Sequence, residues 1–160
     1  MIHFNNSYDC KVDAKGRLML PSGLKNQLLP LLKDGFIIKR SVNGKCLELW
    51  PKVEWDVEMS KLKKLNRYVK KNNDFIRIFM AGVKEIEIDN AGRLLIPKNL
   101  VSIAAIKKEI SLSSAVNYIE IWDKERYEQE IEIEPLDFEA MAEEVMGGDI
   151  IGSENAPDVS

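Results

Sequence analysis

The pattern of hydrophobic and polar residues that predicts strands, turns and a short helix occurs twice along the chain, in the same order. Alternating apolar and polar positions predict a strand in "YDCKVD" and another in "VKEIEID". In both stretches a glycine-containing turn and a short apolar segment follow, "RLML" and "RLLI", which predicts a β-hairpin with three residues between an Asp and an Arg. Pro21 and Pro97 then suit the start of a short helix, because the N–H that proline lacks has no helical partner there.

Two further strands are predicted after each short helix. The apolar runs "GFIIKR" and "CLELW" flank a turn over residues 42–45, and "EISLSS" and "YIEIW" flank a turn over residues 115–117. Pro30 predicts the end of the first helix, because proline cannot continue the helical hydrogen bonding. Each half of the chain is therefore predicted to be a β-β-α-β-β unit.

The two units also share much of their sequence. Residues 13–24 and 89–100 are identical at six of twelve aligned positions, and "LELWPKVEW" parallels "IEIWDKERY". Two matches in the same order indicate a duplication. Four short strands cannot close a core alone, whereas eight can form a barrel that leaves no strand edge exposed. The predicted fold class is therefore α+β, mainly β: a pseudo-twofold β-barrel built from both units.

Helices are predicted between the units and after the second one. An amphipathic stripe predicts a helix over 53–71, and Asn73 or Asp74 can cap a second short helix. "DKERYEQEIEI" and "LDFEAMAEEVMG" predict two more helices, and the last residues, "SENAPDVS", are expected to be frayed. The apolar stripe consists of Trp55, Met59, Leu62 and Leu65. The expected organisation is a first repeat (1–50), linker helices (51–80), a second repeat (81–130) and an acidic helix and tail (131–160), with both repeats in one domain.

Charge is unevenly distributed along the chain. The formal net charge is −3, yet residues 1–108 carry 21 Lys and Arg against 11 Asp and Glu, a balance of +10. Residues 109–160 carry 2 against 15, a balance of −13. A basic body with an acidic end favours a surface that binds a polyanion. The alternative is that the two regions pair with each other or with other subunits.

The repeated phrase places an Asp and an Arg on either side of a three-residue turn. Gly16 and Gly92 permit the left-handed backbone that closes such a turn. The carboxylates of Asp13 and Asp89 can accept hydrogen bonds from turn N–H groups or from an arginine side chain. The two glycines and the two aspartates can therefore have a purely structural role in closing the turns. The arginines that they would hold, Arg17 and Arg93, are also suited to bind phosphate or a guanine edge.

The two turns differ at their tips. Lys15 lies at the tip of the first turn, and Ala91 takes the corresponding position in the second. Because a lysine can bind phosphate and an alanine cannot, we expect the first turn to contribute more to polyanion binding.

No catalytic pattern is present. The single histidine is His3, and the chain has no GxSxG, Walker A, HExxH or GxGxxG motif. We therefore expect no enzyme, no small-molecule substrate, no cofactor and no metal. Cys10 and Cys46 are expected to be buried, reduced thiols, with a disulfide or a metal site as the alternative.

Other conspicuous residues have simpler interpretations. The lysines of 61–64 and 70–71 are expected to form a solvated helix face, with a DNA contact as the alternative. The three tryptophans are expected in the core. The chain has neither an apolar run of the roughly 18 residues that span a membrane nor a secretory signal, which predicts a cytoplasmic protein without a membrane partner. The tryptophans are Trp50, Trp55 and Trp122.

The paired phrases "DAKGR" and "DNAGR", each running into an apolar strand and a proline, resemble the MraZ family, as do "IEIWDKERYE" and "FMAGVKEIEID". The likeness covers residues 1–130. MraZ proteins are bacterial transcriptional regulators related to the AbrB superfamily. The resemblance implies a swapped-hairpin, double-split β-barrel and a ring-like homo-oligomer. It also implies binding to direct repeats of double-stranded DNA in the promoter of the division and cell-wall gene cluster, and a nucleoid location.

Carried over by position, the DNA-contacting segments implied by the resemblance contain Asp13, Lys15 and Arg17 in the first repeat, and Asp89 and Arg93 in the second. Two other functions remain open. One is an oligomeric protein–protein scaffold in which the acidic tail is the docking element. The other is an AbrB-like DNA binder of the antitoxin type, although such chains usually carry one unit and dimerise.

Overall fold

Both halves of the chain fold into the predicted β-β-α-β-β unit, as a computed structural model that describes residues 2–147 shows. A 3₁₀ turn over Leu29–Asp34 follows the first helix, which ends at Leu28, two residues before Pro30. Pro21 and Pro97 lie at the N-caps of the two short helices. The elements of the first unit are β1 (Ser7–Lys11), β2 (Arg17–Met19), α1 (Ser22–Leu28), β3 (Phe36–Arg40) and β4 (Leu47–Pro51). Those of the second are β5 (Lys84–Ile86), β6 (Arg93–Leu95), α4 (Lys98–Ile103), β7 (Glu109–Ser114) and β8 (Ile119–Asp123).

The helices between the units differ from the prediction in their bounds. Helix α2 (Lys52–Lys63) stops well before residue 71, so the proposed stripe continues only as far as Leu62. Helix α3 (Lys70–Met80) begins before Asn73, and its N-cap residue is Val69, which offers no side-chain cap. The predicted caps at Asn73 and Asp74 are therefore wrong. The Asn73 side chain instead bonds Arg67 in the connection that precedes the helix.

Helix α5 (Lys124–Glu130) follows the second unit, and helix α6 (Pro135–Ala142) continues as a π-helical turn over Glu143–Gly147. The described residues divide into two units, with the boundary between Tyr127 and Glu128. The predicted frayed end, "SENAPDVS", lies outside the described residues. No helix within residues 2–147 is long and apolar enough to span a membrane.

The two halves exchange strands. All ladders are antiparallel, and the order of the six-stranded sheet is β1-β7-β8-β4-β3-β5. Strand β1 of the first half therefore pairs with β7 of the second, and β5 of the second pairs with β3 of the first. This exchange confirms the swapped arrangement that the family resemblance implied. The predicted local hairpin is reduced to its turn, because β1 and β2 form no ladder and only Val12, just after β1, forms an isolated bridge with Leu18 of β2.

The strands that follow the two turns pair with each other. Strands β2 and β6 form a two-stranded antiparallel ribbon centred on Leu18 opposite Leu94. We call these two strands the ribbon. The backbone N–H of Ile96 donates to the carbonyl of Gly16, and that of Leu20 donates to the carbonyl of Gly92, both at 2.8 Å. Each turn is thus held by the other half. Closure of all eight strands into one barrel stays a prediction.

One hydrophobic core joins the ribbon to the six-stranded sheet. Leu18 and Leu94, the central residues of the ribbon, have buried side chains that pack with residues from both halves. Burying apolar surface stabilises a fold by about 25 cal/mol per Å², and here neither half supplies both walls of the core. A second cluster contains Ile37, Trp50 and Trp55, and Trp122 is also buried. The prediction that the tryptophans belong to the core is therefore confirmed.

Gly16 gives a direct test of how the halves hold each turn. Its φ is +87°, and a Cβ added to it would overlap the carbonyl oxygen of Ile96. Gly44 has φ +74° but open space around it. We expect Gly44→Ala to lower the free energy of unfolding by about 1 kcal/mol through backbone strain alone, and Gly16→Ala by roughly 3 kcal/mol or more. Urea unfolding at one protein concentration measures both, and equal losses would contradict the contact between the halves.

Candidate nucleic-acid interface

The first turn is closed by Asp13. Its Oδ1 accepts hydrogen bonds from the backbone N–H groups of Lys15 (2.9 Å) and Arg17 (3.0 Å). Its Oδ2 lies 2.7 Å from Nε of Arg17. The backbone N–H of Gly16 donates to the carbonyl of Asp13 at 3.0 Å. One carboxylate therefore fixes both the turn and the direction of the arginine side chain.

The second turn repeats this geometry. Oδ1 of Asp89 accepts from the backbone N–H groups of Ala91 (3.0 Å) and Arg93 (2.8 Å), and its Oδ2 lies 2.7 Å from Nε of Arg93. The backbone N–H of Gly92 donates to the carbonyl of Asp89 at 2.9 Å. Both Asp–Arg pairs predicted from the sequence are thus in contact. The structural role proposed for the aspartates and glycines agrees with this geometry.

These contacts change the titration of both aspartates. The backbone N–H of Arg17, followed by its side chain, holds the pKa of the Asp13 carboxyl below its ordinary value, and Arg93 does the same for the pKa of Asp89. A carboxyl with a lowered folded-state pKa stabilises the fold above its unfolded pKa. That contribution is lost as the pH falls through the lowered value. Both turns are therefore fully braced at neutral pH.

The arginine ends remain available. Asp13 occupies only Nε of Arg17, and no described residue bonds its two Nη groups. The same is true of Arg93 with Asp89. The two arginine side chains are 63% and 68% exposed. Each guanidinium therefore presents its outer edge to solvent, in the fork geometry that matches a guanine edge or a phosphate.

The two arginines flank an open cleft over the outer face of the ribbon. The cleft has a volume of about 760 Å³. Met19 and Leu95 contribute exposed apolar side chains to it, while Leu18 and Leu94 line it from below. The remaining lining residues are Lys11, Val12, Asp13, Arg17, Glu87, Asp89, Arg93 and Lys108.

Charge in this cleft is asymmetric about the pseudo-twofold axis. Lys11 corresponds to Glu87 in the other half, just as Lys15 corresponds to Ala91. Lys108 adds a further cation beside the first turn, where its carbonyl accepts the N–H of Val12 at 2.8 Å. The first turn therefore lies in the more basic surroundings. Sequence reasoning missed Lys11 and Lys108. The alternating pattern of "YDCKVD", which contains Lys11, was a signal for the first. Lys108 is brought to the site by the exchange of strands between the halves.

The other residues considered from the sequence do not join this site. Lys61 and Lys70 pair with Glu58 and Asp74 of their own helices, as expected of a solvated face. Cys10 and Cys46 are free thiols. Burial raises the pKa of Cys10 to about 11 and that of Cys46 to about 12, so both are protonated at neutral pH.

The brace on Asp13 can be measured by titration. In Arg17→Ala, the pKa of Asp13 should rise toward its ordinary value, because the guanidinium is removed. It should stay below that value, because the backbone N–H groups of residues 15 and 17 still donate. NMR of the carboxyl carbons measures this change. Asp89 is the internal control, and its pKa should not change; an unmoved Asp13 would mean that the guanidinium does not brace the turn.

Comparison with known proteins agrees with this architecture. The MraZ family model, described as "MraZ protein, putative antitoxin-like", matches residues 3–78 and again residues 79–147, one match for each half. A protein of Christiangramia forsetii named "Transcriptional regulator MraZ" is 61% identical over 149 residues, which cover 93% of this chain and 96% of the relative.

Other relatives carry the same name. The one from Flavobacterium psychrophilum is 62% identical over 141 residues, covering 88% of this chain and 90% of the relative. The one from Clostridium tetani is 36% identical over 142 residues, covering 89% and 96%. Transcriptional regulators are by kind not enzymes. The duplicated sequence, the exchanged strands and these matches show that the chain belongs to the MraZ family.

Proposed function

We propose that this protein is a sequence-specific regulator that binds double-stranded DNA through its two Asp-x-x-x-Arg turns. Its targets are direct repeats in the promoter of the division and cell-wall gene cluster, and it acts in the cytoplasm, at the nucleoid. The relatives are named transcriptional regulators. The observation that carries the proposal is the pair of braced arginines, Arg17 and Arg93, with their outer edges free on one exposed ribbon.

The ribbon has a suitable shape for reading DNA. The major groove of B-DNA is about 12 Å wide and admits a two-stranded β-ribbon. A bidentate arginine on guanine O6 and N7 is the commonest specific contact there. Since Asp13 already holds Nε of Arg17, the guanidinium loses little conformational freedom on binding. Arg93 and Asp89 present the same arrangement.

The first turn should contribute more of the affinity than the second. Lys11, Lys15 and Lys108 add positive charge around Arg17, whereas Glu87 and Ala91 occupy the corresponding positions near Arg93. Each phosphate that a cation neutralises releases counterions, which favours binding in a salt-dependent way. Lys15 is placed for a phosphate contact, and the two aspartates orient the arginines.

A ring-like homo-oligomer is part of the proposal. Exposed apolar side chains on helices α3 and α6 support contacts between copies: Phe75, Ile78, Leu136 and Phe138. A ring would present many turns to tandem DNA repeats, so modest individual contacts would gain avidity. Exposed apolar side chains of this kind also favour the second candidate, a protein–protein scaffold. A scaffold would not bind DNA, whereas a DNA-binding regulator would bind it with a steep dependence on salt concentration.

Replacement of Arg17 by lysine tests the proposal, because lysine keeps the charge and loses the fork. The probe is the duplex that the native protein enriches from a random DNA pool. We expect Arg17→Lys to weaken binding to this duplex about tenfold to 100-fold, with little change for unselected DNA. Arg93→Lys should cost less. Fluorescence anisotropy at fixed salt measures the affinities of the native protein and of both variants for the enriched duplex and for unselected DNA.

Arg77→Lys is the matched control. Like Arg17, Arg77 is exposed and is paired with a nearby aspartate. Its partner is Asp74 in the same helix, and Arg77 lies outside the ribbon cleft. Its replacement should leave both affinities unchanged. Native affinity of Arg17→Lys for the enriched duplex would remove Arg17 from the recognition surface. A pool from which no sequence is enriched would remove sequence-specific DNA binding altogether.

A further inference from the structure

Two exposed apolar side chains occupy the outer face of the ribbon. Met19 is 53% exposed and Leu95 is 55% exposed. They are the last residues of β2 and β6, and both line the cleft between the two turns. Phosphate contacts do not use apolar groups, so the arginines and lysines leave these two side chains unexplained.

Strand register places each of them beside an arginine. Leu95 lies directly opposite Arg17, and Met19 lies directly opposite Arg93. Directly opposed side chains have Cβ atoms about 4.5–5.5 Å apart, and alternate residues of one strand are about 6.8 Å apart. The four side chains therefore form one small patch, in which each arginine of one half has an apolar neighbour from the other half.

The size of this patch suits the edges of adjacent base pairs. Its dimensions are smaller than the roughly 12 Å width of the major groove. Among the groups that base pairs display in that groove, the C5 methyl of thymine is the apolar one, and it is read by apolar side chains. An apolar side chain fixed beside a guanine-reading arginine is therefore placed to contact the methyl of a neighbouring thymine.

We propose that Met19 and Leu95 are specificity-determining residues that read thymine methyl groups next to the bases contacted by Arg93 and Arg17. The inference rests on the proposed DNA-binding function and adds a second component to it. Each reading position is a composite of both halves, with a guanidinium from one and an apolar side chain from the other. The recognition sequence then contains thymine beside guanine at both reading positions.

Charge favours DNA over an apolar protein partner in this cleft. Arg17 and Arg93 stand at diagonal corners of the patch, and both line the same cleft as the two apolar groups. Apolar side chains of a protein partner that covered Met19 and Leu95 would offer no acceptor to the guanidinium edges, and burying those edges without hydrogen bonds is costly. A base edge satisfies the guanidinium and the apolar side chain together.

Uracil substitution tests the proposal at the level of one methyl group. The probe is again the duplex that the native protein enriches from a random pool, now synthesised with one thymine at a time replaced by deoxyuridine. Uracil keeps the base pair and lacks only the C5 methyl. Loss of one buried methyl should weaken binding about fourfold. We expect this loss at thymines beside the contacted guanines.

Two variants assign each methyl to its side chain. Met19→Ala should be insensitive to uracil at one position and Leu95→Ala at the other. Val42→Ala, which removes an exposed apolar side chain outside the cleft, should behave as the native protein. Thermal unfolding checks that the exposed substitutions leave the fold intact.

The possible failures are distinguishable. If an enriched duplex depends on Arg17 but uracil has no effect, or has the same effect in both alanine variants, the methyl readout is wrong while DNA recognition stands. If no duplex is enriched, both the readout and the proposed function are wrong.

Discussion

The exchange of strands between the two halves is the constraint on which the rest of this molecule depends. Strand β1 forms its ladder with β7, β5 forms its ladder with β3, and the ladder of the ribbon joins β2 to β6 across the duplication. The carbonyls of Gly16 and Gly92 each accept an N–H from the opposite half. Because the core beneath the ribbon is also shared, each half completes its fold only with the other.

The same exchange creates the proposed recognition surface. The Asp–Arg brace is local, since all its hydrogen bonds fall within one five-residue phrase. The arrangement of the two braces is not local, because pairing of β2 with β6 sets the spacing between Arg17 and Arg93. It also places Leu95 beside Arg17, while the pairing of β1 with β7 brings Lys108 to the first turn. The duplicated Asp-x-x-x-Arg segment thus forms one surface with two turns, of which the first has the more basic surroundings.

Local features were predictable from the sequence, and contacts between distant segments were not. Periodicity gave the strand order of each unit, and the spacing of Asp13 and Arg17 predicted their contact, because turn chemistry acts over a few residues. The hairpin between β1 and β2 was wrong beyond its turn, since tertiary pairing overrides a local signal. Helix α3 begins before its expected caps, and Asn73 accepts a hydrogen bond from Arg67 in the connection ahead of the helix. Lys108 and Leu95 required the register between halves, which no single segment encodes.

Arginine-specific chemical footprinting tests the central claim, that the two turn arginines on the ribbon contact DNA. Phenylglyoxal modifies exposed guanidinium groups, and mass spectrometry reads each site with and without the enriched duplex. The account predicts that DNA protects Arg17 and Arg93 while Arg77, similarly exposed and paired with Asp74, reacts equally in both samples. Protection of Arg77 with unchanged modification of Arg17 and Arg93 would contradict it and place the DNA on the linker helices.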